Sequence, residues 1–193
     1  MNKNFILTIY KQPQTIFTLK DISLLFPKIL YDNLKVRVAY AIKSGSLKKL
    51  RRGVYAKDNY NVLELSNKII SPSYVSLETV LAKEGIVFQY YESIFAIGYI
   101  SRTVQVGDHS LVYRKIKNEI LLNKAGIKDE GTVFIAGKER AFLDAVFLYR
   151  DYHFDNLRPL NWDKIMELKS IYMSKAMNKR VEDYYKIYKE DHV

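Results

Sequence analysis

Four cations lie within five residues of this chain: Lys48, Lys49, Arg51 and Arg52. Like charges at this spacing repel one another, so the cluster favours a partner that brings negative charge to it. Lysine and arginine side chains bind phosphate groups, and nucleic-acid backbones present such groups at regular intervals. The cluster therefore indicates phosphate binding, and the alternative interpretation is a basic turn without a partner.

The net charge of the chain is concentrated around this cluster. The formal net charge of the 193 residues is +10, and residues 1–57 contain 12 Lys and Arg against 2 Asp and Glu. The rest of the chain contains 19 residues of each sign. Because the excess is confined to one end of the chain, it predicts a binding surface for a polyanion there.

A segment with helical periodicity precedes the cluster. Asp32 is the predicted N-cap of a helix over residues 33–44, and Gly45 is predicted to follow it with positive φ. One apolar stripe is formed by Leu34, Val38, Ala41 and Ile42. The opposite face presents Asn33, Val36, Tyr40 and Lys43, flanked by Lys35 and Arg37. A polar and cationic face directed away from the core suits a helix in the major groove, and a solvated surface helix is the other interpretation.

Other short elements are needed to position this helix and the cluster. A helix is predicted over residues 3–11, followed by an extended segment at residues 15–17. The Thr18-x-x-Asp21 pattern predicts a capping box at the start of a second helix, which ends near Phe26. Strands at residues 47–50 and 53–56 flank Arg51 and Arg52 as a hairpin. Helices followed by a hairpin in this order are typical of a winged helix-turn-helix.

Beyond residue 57 the predicted elements are mixed. Helices are predicted near 62–70, 77–84 with Ser76 as the cap, 138–150, 162–169 and to about 190. Strand-like segments are predicted at 86–91, 94–106, 110–116 and 132–135. The sequence therefore predicts an α+β protein, with a winged helix-turn-helix at residues 1–60. A mixed α/β domain with a helical C-terminus is predicted at residues 61–193.

Residue patterns that carry catalysis are not found. The chain has no cysteine, its histidines (His109, His153 and His192) are far apart in sequence, and no glycine-rich phosphate loop is present. Lys138, Glu139, Arg140 and Asp144 are predicted to form a charged face of a helix whose apolar stripe lies in the core. For Glu139 and Arg140, pairing within the helix and contact with a partner are both open interpretations. We predict no enzymatic activity, no metal site and no cofactor. The absence of a signal-peptide core and of a long apolar segment predicts a cytoplasmic protein without membrane contact.

Three blocks of sequence resemble the antitoxin (AbiEi) family of the AbiE abortive-infection toxin–antitoxin systems. The first block is the basic hairpin at residues 45–55, and the second covers residues 71–79 and continues to Gly85-Ile86-Val87. The third covers residues 135–144, in which Arg140 stands where the family usually has lysine. The resemblance covers most of the chain and depends on the order and spacing of the blocks.

The resemblance implies two functions. An N-terminal winged helix would bind inverted repeats in the promoter of its own operon and repress it. The remainder of the chain would counteract a cognate nucleotidyltransferase-like toxin during phage infection, with or without direct contact. The predicted DNA-binding residues are Lys35, Arg37, Tyr40 and Lys43 at the groove, and Lys48, Lys49, Arg51 and Arg52 at the phosphates.

Two other hypotheses remain open at this point. The basic hairpin of a protein-interaction module would dock an acidic partner without reading a DNA sequence. An RNA- or nucleotide-modifying enzyme is the third hypothesis, although no pair of acidic residues can be nominated for it. The sequence also leaves open whether residues 61–193 contact DNA.

Overall fold

The computed structural model describes residues 3–190, and the chain begins there with helices packed on a small sheet. The elements of this N-terminal region are α1 (Lys3–Tyr10), β1 (Ile16–Thr18), α2 (Leu19–Leu25), α3 (Tyr31–Lys43), β2 (Lys48–Arg51) and β3 (Val54–Ala56). The strands form a three-stranded antiparallel sheet in the order β1-β3-β2. The predicted order of elements is found, and the extended segment after α1 pairs with the hairpin.

A mixed sheet organises the described residues beyond 57. Its strands are β4 (Ser73–Val75), β5 (Ile94–Gly98), β6 (Arg102–Val106), β7 (His109–Lys115), β8 (Ile127–Asp129) and β9 (Phe134–Ala136). The helices are α4 (Val62–Ile69), α5 (Glu78–Lys83), α6 (Asn118–Leu121), α7 (Lys138–Leu148), α8 (Trp162–Leu168) and α9 (Lys175–Glu190), with a 3₁₀ turn at Lys169–Tyr172. This six-stranded sheet has the order β6-β7-β5-β4-β9-β8. The predicted α+β class is confirmed.

Several helix ends follow from local sequence signals. The N–H of Asp21 donates to the Thr18 hydroxyl at 3.1 Å, and the N–H of Thr18 donates to the Asp21 carboxylate at 2.8 Å. The side chain of Asn61 accepts from the N–H of Leu63 at 2.9 Å, at the start of α4. Gly45 follows α3 with a φ of 72°. These caps are formed by residues close in sequence, and the capping box at Thr18 and the positive φ of Gly45 agree with the predictions.

Other local predictions are wrong. The N-cap of α3 is Leu30, so Asp32 lies inside the first turn of the helix. Residues 86–91 contain no strand. Met173, which the sequence places on the same side of the last helices as Met177 and Val181, is 75 % exposed, whereas those two residues are fully buried. Met173 follows the 3₁₀ turn with a φ of 45°, so the helical period is interrupted there.

The small N-terminal sheet lies between two hydrophobic clusters. The face that includes Phe17 and Tyr55 packs against α1, α2 and α3. The face that includes Ile16, Val54 and Ala56 packs against α4 and the β5, β6 and β7 strands of the larger sheet. The second cluster thus joins side chains from both sides of residue 60, where the sequence predicts a domain boundary.

A buried carboxylate also joins the N-terminal sheet to α4. Glu64 is fully buried, and its Oε2 atom accepts from the N–H and the hydroxyl of Thr15 at 2.9 and 2.6 Å. Its Oε1 atom accepts from the N–H of Ile16 at 3.1 Å. Hydrogen bonds to an ionised group are stronger than those between neutral groups. Glu64 therefore holds the start of β1 against α4.

α7 carries into the larger core the residues that the sequence predicts as a charged helix face. Glu139, Arg140 and Asp144 are only 3 %, 0 % and 0 % exposed, and Lys138 is half-buried. The predicted charged face is therefore mostly buried. Buried charges are tolerated where partners satisfy them, and here the partners come from segments far away in the sequence.

The Arg140 guanidinium has a specific set of acceptors. It donates to the carbonyl oxygens of Ile120 and Ala125 at 2.8 and 2.9 Å, and to the Tyr74 hydroxyl at 3.2 Å. Burial opposes its charge, but the adjacent Asp144 carboxylate raises the pKa of Arg140 overall. Arg140 therefore holds the turn before β8 against α7 and β4.

Asp144 receives three hydroxyl donors and one cation. Its carboxylate accepts from Tyr172, Ser76 and Tyr74 at 2.6, 2.7 and 3.1 Å, and it lies 3.5 Å from the Nε atom of Arg140. Burial raises the pKa of Asp144, while Arg140 and the hydroxyl donors oppose that shift. The sequence predicts Ser76 as a helix cap, and this prediction is wrong: the N-cap of α5 is Leu77, and the Ser76 hydroxyl donates to Asp144 instead.

Candidate nucleic-acid interface

α3 has one buried and one exposed face, as its periodicity predicts. Leu34, Val38 and Ala41 are at most 1 % exposed and belong to the cluster formed with α1 and α2. Val36 and Tyr40, on the opposite face, are 65 % and 62 % exposed. Asn33, Lys35 and Lys43, which are predicted for that face or its flanks, are also exposed. Arg37, the remaining predicted cation of α3, is half-buried.

The β2–β3 hairpin divides the cationic cluster between two faces. Lys49 is opposite Tyr55 in the strand register, whereas Arg51 is opposite Val54, because the register shifts between Lys49 and Arg51. Residues opposite each other on neighbouring strands share a face of the sheet. Lys49 therefore lies on the side of α1–α3, and Arg51 lies on the side of the larger sheet.

The remaining two cations occupy different positions. Lys48 is opposite Ala56 and shares the face of Arg51. Arg52 is in the turn, beside Gly53, whose φ is 79°. The four cations that are adjacent in the sequence thus lie on two faces of the hairpin and in its turn. They cannot all bind the same phosphate group.

Two of the predicted site cations have carboxylate partners. Lys35 lies 3.1 Å from Asp32, and Lys48 lies 2.6 Å from Asp58. The hydrogen bond to Asp58 raises the pKa of Lys48. Both ion pairs are exposed to solvent, and such pairs contribute little to stability. Phosphate groups can therefore replace Asp32 and Asp58 as partners at little cost.

The other predicted site cations have no ion pair within residues 3–190. They are Arg37, Lys43, Lys49, Arg51 and Arg52. Most of these side chains are exposed, so their charge is available to a ligand. These residues belong to α3 and to the β2–β3 hairpin, which follows α3 directly in the chain.

Lys57, which contributes to the local charge excess, has a different role. Its ammonium group donates to the carbonyl oxygens of Tyr10 and Gln12. Burial lowers the pKa of Lys57, and Glu64 opposes that shift. Lys57 thus fastens the end of α1 to the segment after β3 and is not free for a polyanion.

Sequence reasoning missed residues that lie near the hairpin in space. Arg102, at the start of β6, and Lys68, on α4, line a cavity together with Arg51 and Arg52. A lone arginine at a strand end and a lysine on an amphipathic helix give no sequence signal of this proximity. The proximity depends on the packing of the N-terminal sheet against the larger one.

The histidine and acidic side chains of the described residues are of the types that form metal sites. Within residues 3–190 no group of three or more His, Asp or Glu side chains is placed to hold a metal ion. His109 contacts the edge of the Tyr60 ring, with centroids 5.9 Å apart, and exposed His153 lies 3.6 Å from Asp155. His192 is outside the described residues. No helix in the described part of the chain has both the length and the apolar character needed to cross a membrane.

Comparison with known proteins does not assign the chain to a family. No protein-family model matches the sequence, and no curated protein matches it significantly. The similarity to the AbiE antitoxin family therefore rests on the three sequence blocks alone.

Proposed function

We propose that this protein is a sequence-specific DNA-binding repressor and the antitoxin of an AbiE-type toxin–antitoxin operon. In this proposal the N-terminal region is a winged helix-turn-helix. α3 enters the major groove as the recognition helix, and the β2–β3 hairpin is the wing beside it. The promoter of its own operon is the proposed target, bound at inverted repeats.

One observation carries the DNA-binding part of the proposal. The exposed face of α3 adjoins a hairpin whose Lys49, Arg51 and Arg52 lack carboxylate partners in the described part of the chain. A helix whose apolar stripe packs on neighbouring helices can present its other face to a groove without loss of core packing. Adjacent unpaired cations then bind the flanking phosphates, which supply most of the affinity for DNA.

The side chains of α3 suit particular partners. In this proposal Tyr40 and Lys43 contact base edges, and Lys35 and Arg37 contact the phosphates beside them. Exposed Val36 offers an apolar surface to a thymine methyl group, a contact that proteins use in the major groove. Lys48, Lys49, Arg51 and Arg52 bind the backbone from the faces and turn of the hairpin.

The antitoxin part of the proposal is supported by the three blocks of family-like sequence. In it, the region after residue 60 is required to counteract a nucleotidyltransferase-like toxin, and the protein is not an enzyme. Co-expression with the adjacent toxin gene tests this part directly. Growth is expected to be restored by the full chain, and continued growth arrest would reject the antitoxin role.

The DNA-binding part is tested by fluorescence anisotropy with the purified full chain. The duplex upstream of its gene and a shuffled duplex of equal composition are titrated at several salt concentrations. We expect a preference of about a thousandfold or more for the upstream duplex, which is the lower range for specific binders. Equal and salt-sensitive binding to both duplexes would reject sequence reading and favour a hairpin that docks an acidic partner.

A further inference from the structure

A cavity of about 330 Å³ lies between the hairpin and the edge of the larger sheet. Four cations line it: Arg51, Arg52, Lys68 and Arg102. No aspartate or glutamate is among its lining residues. The cavity thus joins two residues of the proposed wing to residues from beyond the N-terminal region.

The fold explains why these cations meet. The register shift in β2 places Arg51 on the face that packs toward the larger sheet. β6 is an edge strand of that sheet, and Arg102 at its start is exposed. Lys68 is supplied by α4, which packs on the same face of the hairpin sheet. The cations belong to separate elements, so their convergence is a property of the tertiary structure.

Within the described residues, the charges in the cavity are only partly compensated. Lys68 lies 3.0 Å from Asp21, which balances its charge. Arg51, Arg52 and Arg102 have no ion pair in residues 3–190. Guanidinium groups that line one cavity repel each other, and an oxyanion between them removes that repulsion. Arginine binds phosphate oxygens through two parallel N–H groups.

We propose that this cavity binds a phosphodiester group of the DNA backbone, held jointly by Arg51 and Arg102. This inference rests on the proposed function and extends it, because Arg102 belongs to the larger sheet. The position of the cavity supports a backbone phosphate as the ligand, since Arg51 and Arg52 are part of the hairpin that flanks α3. The larger region then contributes directly to DNA affinity.

The test uses the full-length protein with Arg102→Gln, again by fluorescence anisotropy across a range of salt concentrations. Removal of one cation from a bound phosphate is expected to reduce the slope of log affinity against log salt by about 0.9. At 0.15 M salt the binding is expected to be roughly fivefold weaker, as that slope implies. Both duplexes should be affected equally, because backbone contacts carry no sequence information.

Arg158→Gln is the matched control. Arg158 is an exposed arginine of the larger region that does not line the cavity, and its replacement should leave the salt slope unchanged. Arg102→Gln with the affinity and slope of the unaltered protein would overturn this inference alone. Failure of the unaltered protein to bind any duplex would reject the proposed function, and this inference with it.

A double variant tests whether the two arginines share one phosphate. If they do, Arg51→Gln and Arg102→Gln together should weaken binding less than the product of the two single effects, because the second replacement acts on a contact already weakened. Effects that multiply fully would indicate separate phosphates and would overturn the shared site. Thermal unfolding of each variant shows whether the fold is retained.

Discussion

Arginines in two regions of this molecule have the same chemistry and opposite surroundings. Arg140, on α7, is fully buried and donates to two carbonyl oxygens and a hydroxyl group beside Asp144. Arg51 and Arg52 are exposed and have no carboxylate partner within residues 3–190. A buried cation that donates to several acceptors stabilises the fold, whereas exposed cations without a carboxylate partner are available to a ligand. Whether an arginine stabilises the fold or is available to bind a ligand therefore depends on its burial and its partners.

The largest effect is expected from removal of the carboxylate beside Arg140. Asp144→Ala leaves a buried guanidinium without its counter-charge and removes the acceptor of three hydroxyl groups. Breaking a buried ion pair in this way costs about 3–5 kcal/mol. The free energy of unfolding, measured by urea denaturation, should fall by that amount.

Asp108→Asn is the control for this prediction, since Asp108 is exposed in the turn between β6 and β7. The control should change the free energy of unfolding by no more than about 0.5 kcal/mol. If Asp144→Ala were as mild as the control, the buried network would not be the stabilising element that its contacts indicate.

A smaller loss of stability is expected at the contact between α4 and β1. Glu64→Gln replaces an ionised acceptor of three hydrogen bonds with a neutral amide, whose N–H₂ group also faces backbone donors. Hydrogen bonds to charged groups contribute about 1.5–3 kcal/mol, and we expect a decrease of about that size in urea denaturation. Glu130→Gln, at an exposed turn, is the control. Equal stability of the two variants would contradict the role of Glu64.

Replacements on α3 test whether its exposed residues bind a ligand, in contrast to the buried network around Arg140. Tyr40→Ala and Lys43→Ala should change which base pairs are preferred, because contacts with base edges contribute about 1–3 kcal/mol of discrimination. Anisotropy with single base-pair substitutions in the upstream duplex measures this change. Unchanged discrimination in both variants would exclude α3 as the element that reads sequence.

Replacements in the hairpin should act differently from those on α3. Arg51→Ala and Arg52→Ala are each expected to weaken binding to specific and shuffled duplexes alike. The salt slope should fall by about 0.9 for each phosphate that the variant no longer binds. The free energy of unfolding should stay within about 0.5 kcal/mol of the unaltered protein, in contrast to Asp144→Ala. Loss of preference for one base pair would show that the hairpin reads sequence.

The smallest effect is expected from the capping box of α2 and depends on pH. Burial alone would raise the pKa of Asp21, but the Thr18 N–H and the Lys68 ammonium group lower it overall. Because the pKa is lower in the folded state, Asp21 stabilises the fold above its unfolded pKa, and this contribution is lost as the pH falls through the folded pKa. Asp21→Asn should cost less than about 1 kcal/mol at pH 7.

Urea denaturation at several pH values checks this prediction. The difference in free energy of unfolding between Asp21→Asn and the unaltered protein should shrink below pH 3.8, the ordinary aspartate value. A difference that stays constant between pH 7 and pH 3 would assign the effect to a neutral hydrogen bond.

Much of the fold near the N-terminus could be predicted because its signals are local. The capping box at Thr18 and Asp21 and the cap at Asn61 involve atoms within three residues of each other. The stripe that buries Leu34, Val38 and Ala41 needs only the helical period. The exposed face of α3 followed from the same period.

The rest of the site and of the core could not be predicted for a physical reason. Arg140 and Asp144 are spaced four residues apart, which is equally typical of an exposed ion pair and of a buried one. Their burial depends on Tyr74 and Tyr172, which are distant in the chain. Within α7 itself, the one sequence feature that indicates their burial is the number of apolar residues around them. Both faces of this helix are buried. Arg102 likewise joins the hairpin only through the packing of two sheets.

The hydrogen bonds from Thr15 and Ile16 to Glu64 determine where a crossover point can be placed in a chimera of this protein with a similar one. A chimera that exchanges residues 1–60 would take Thr15 and Ile16 from one parent and Glu64 from the other. It would also pair the sheet face of Ile16 with a foreign α4. A crossover after Ile69 keeps the carboxylate and its donors from the same parent. Operator preference, if it is carried by α3, is therefore best transplanted as residues 1–69.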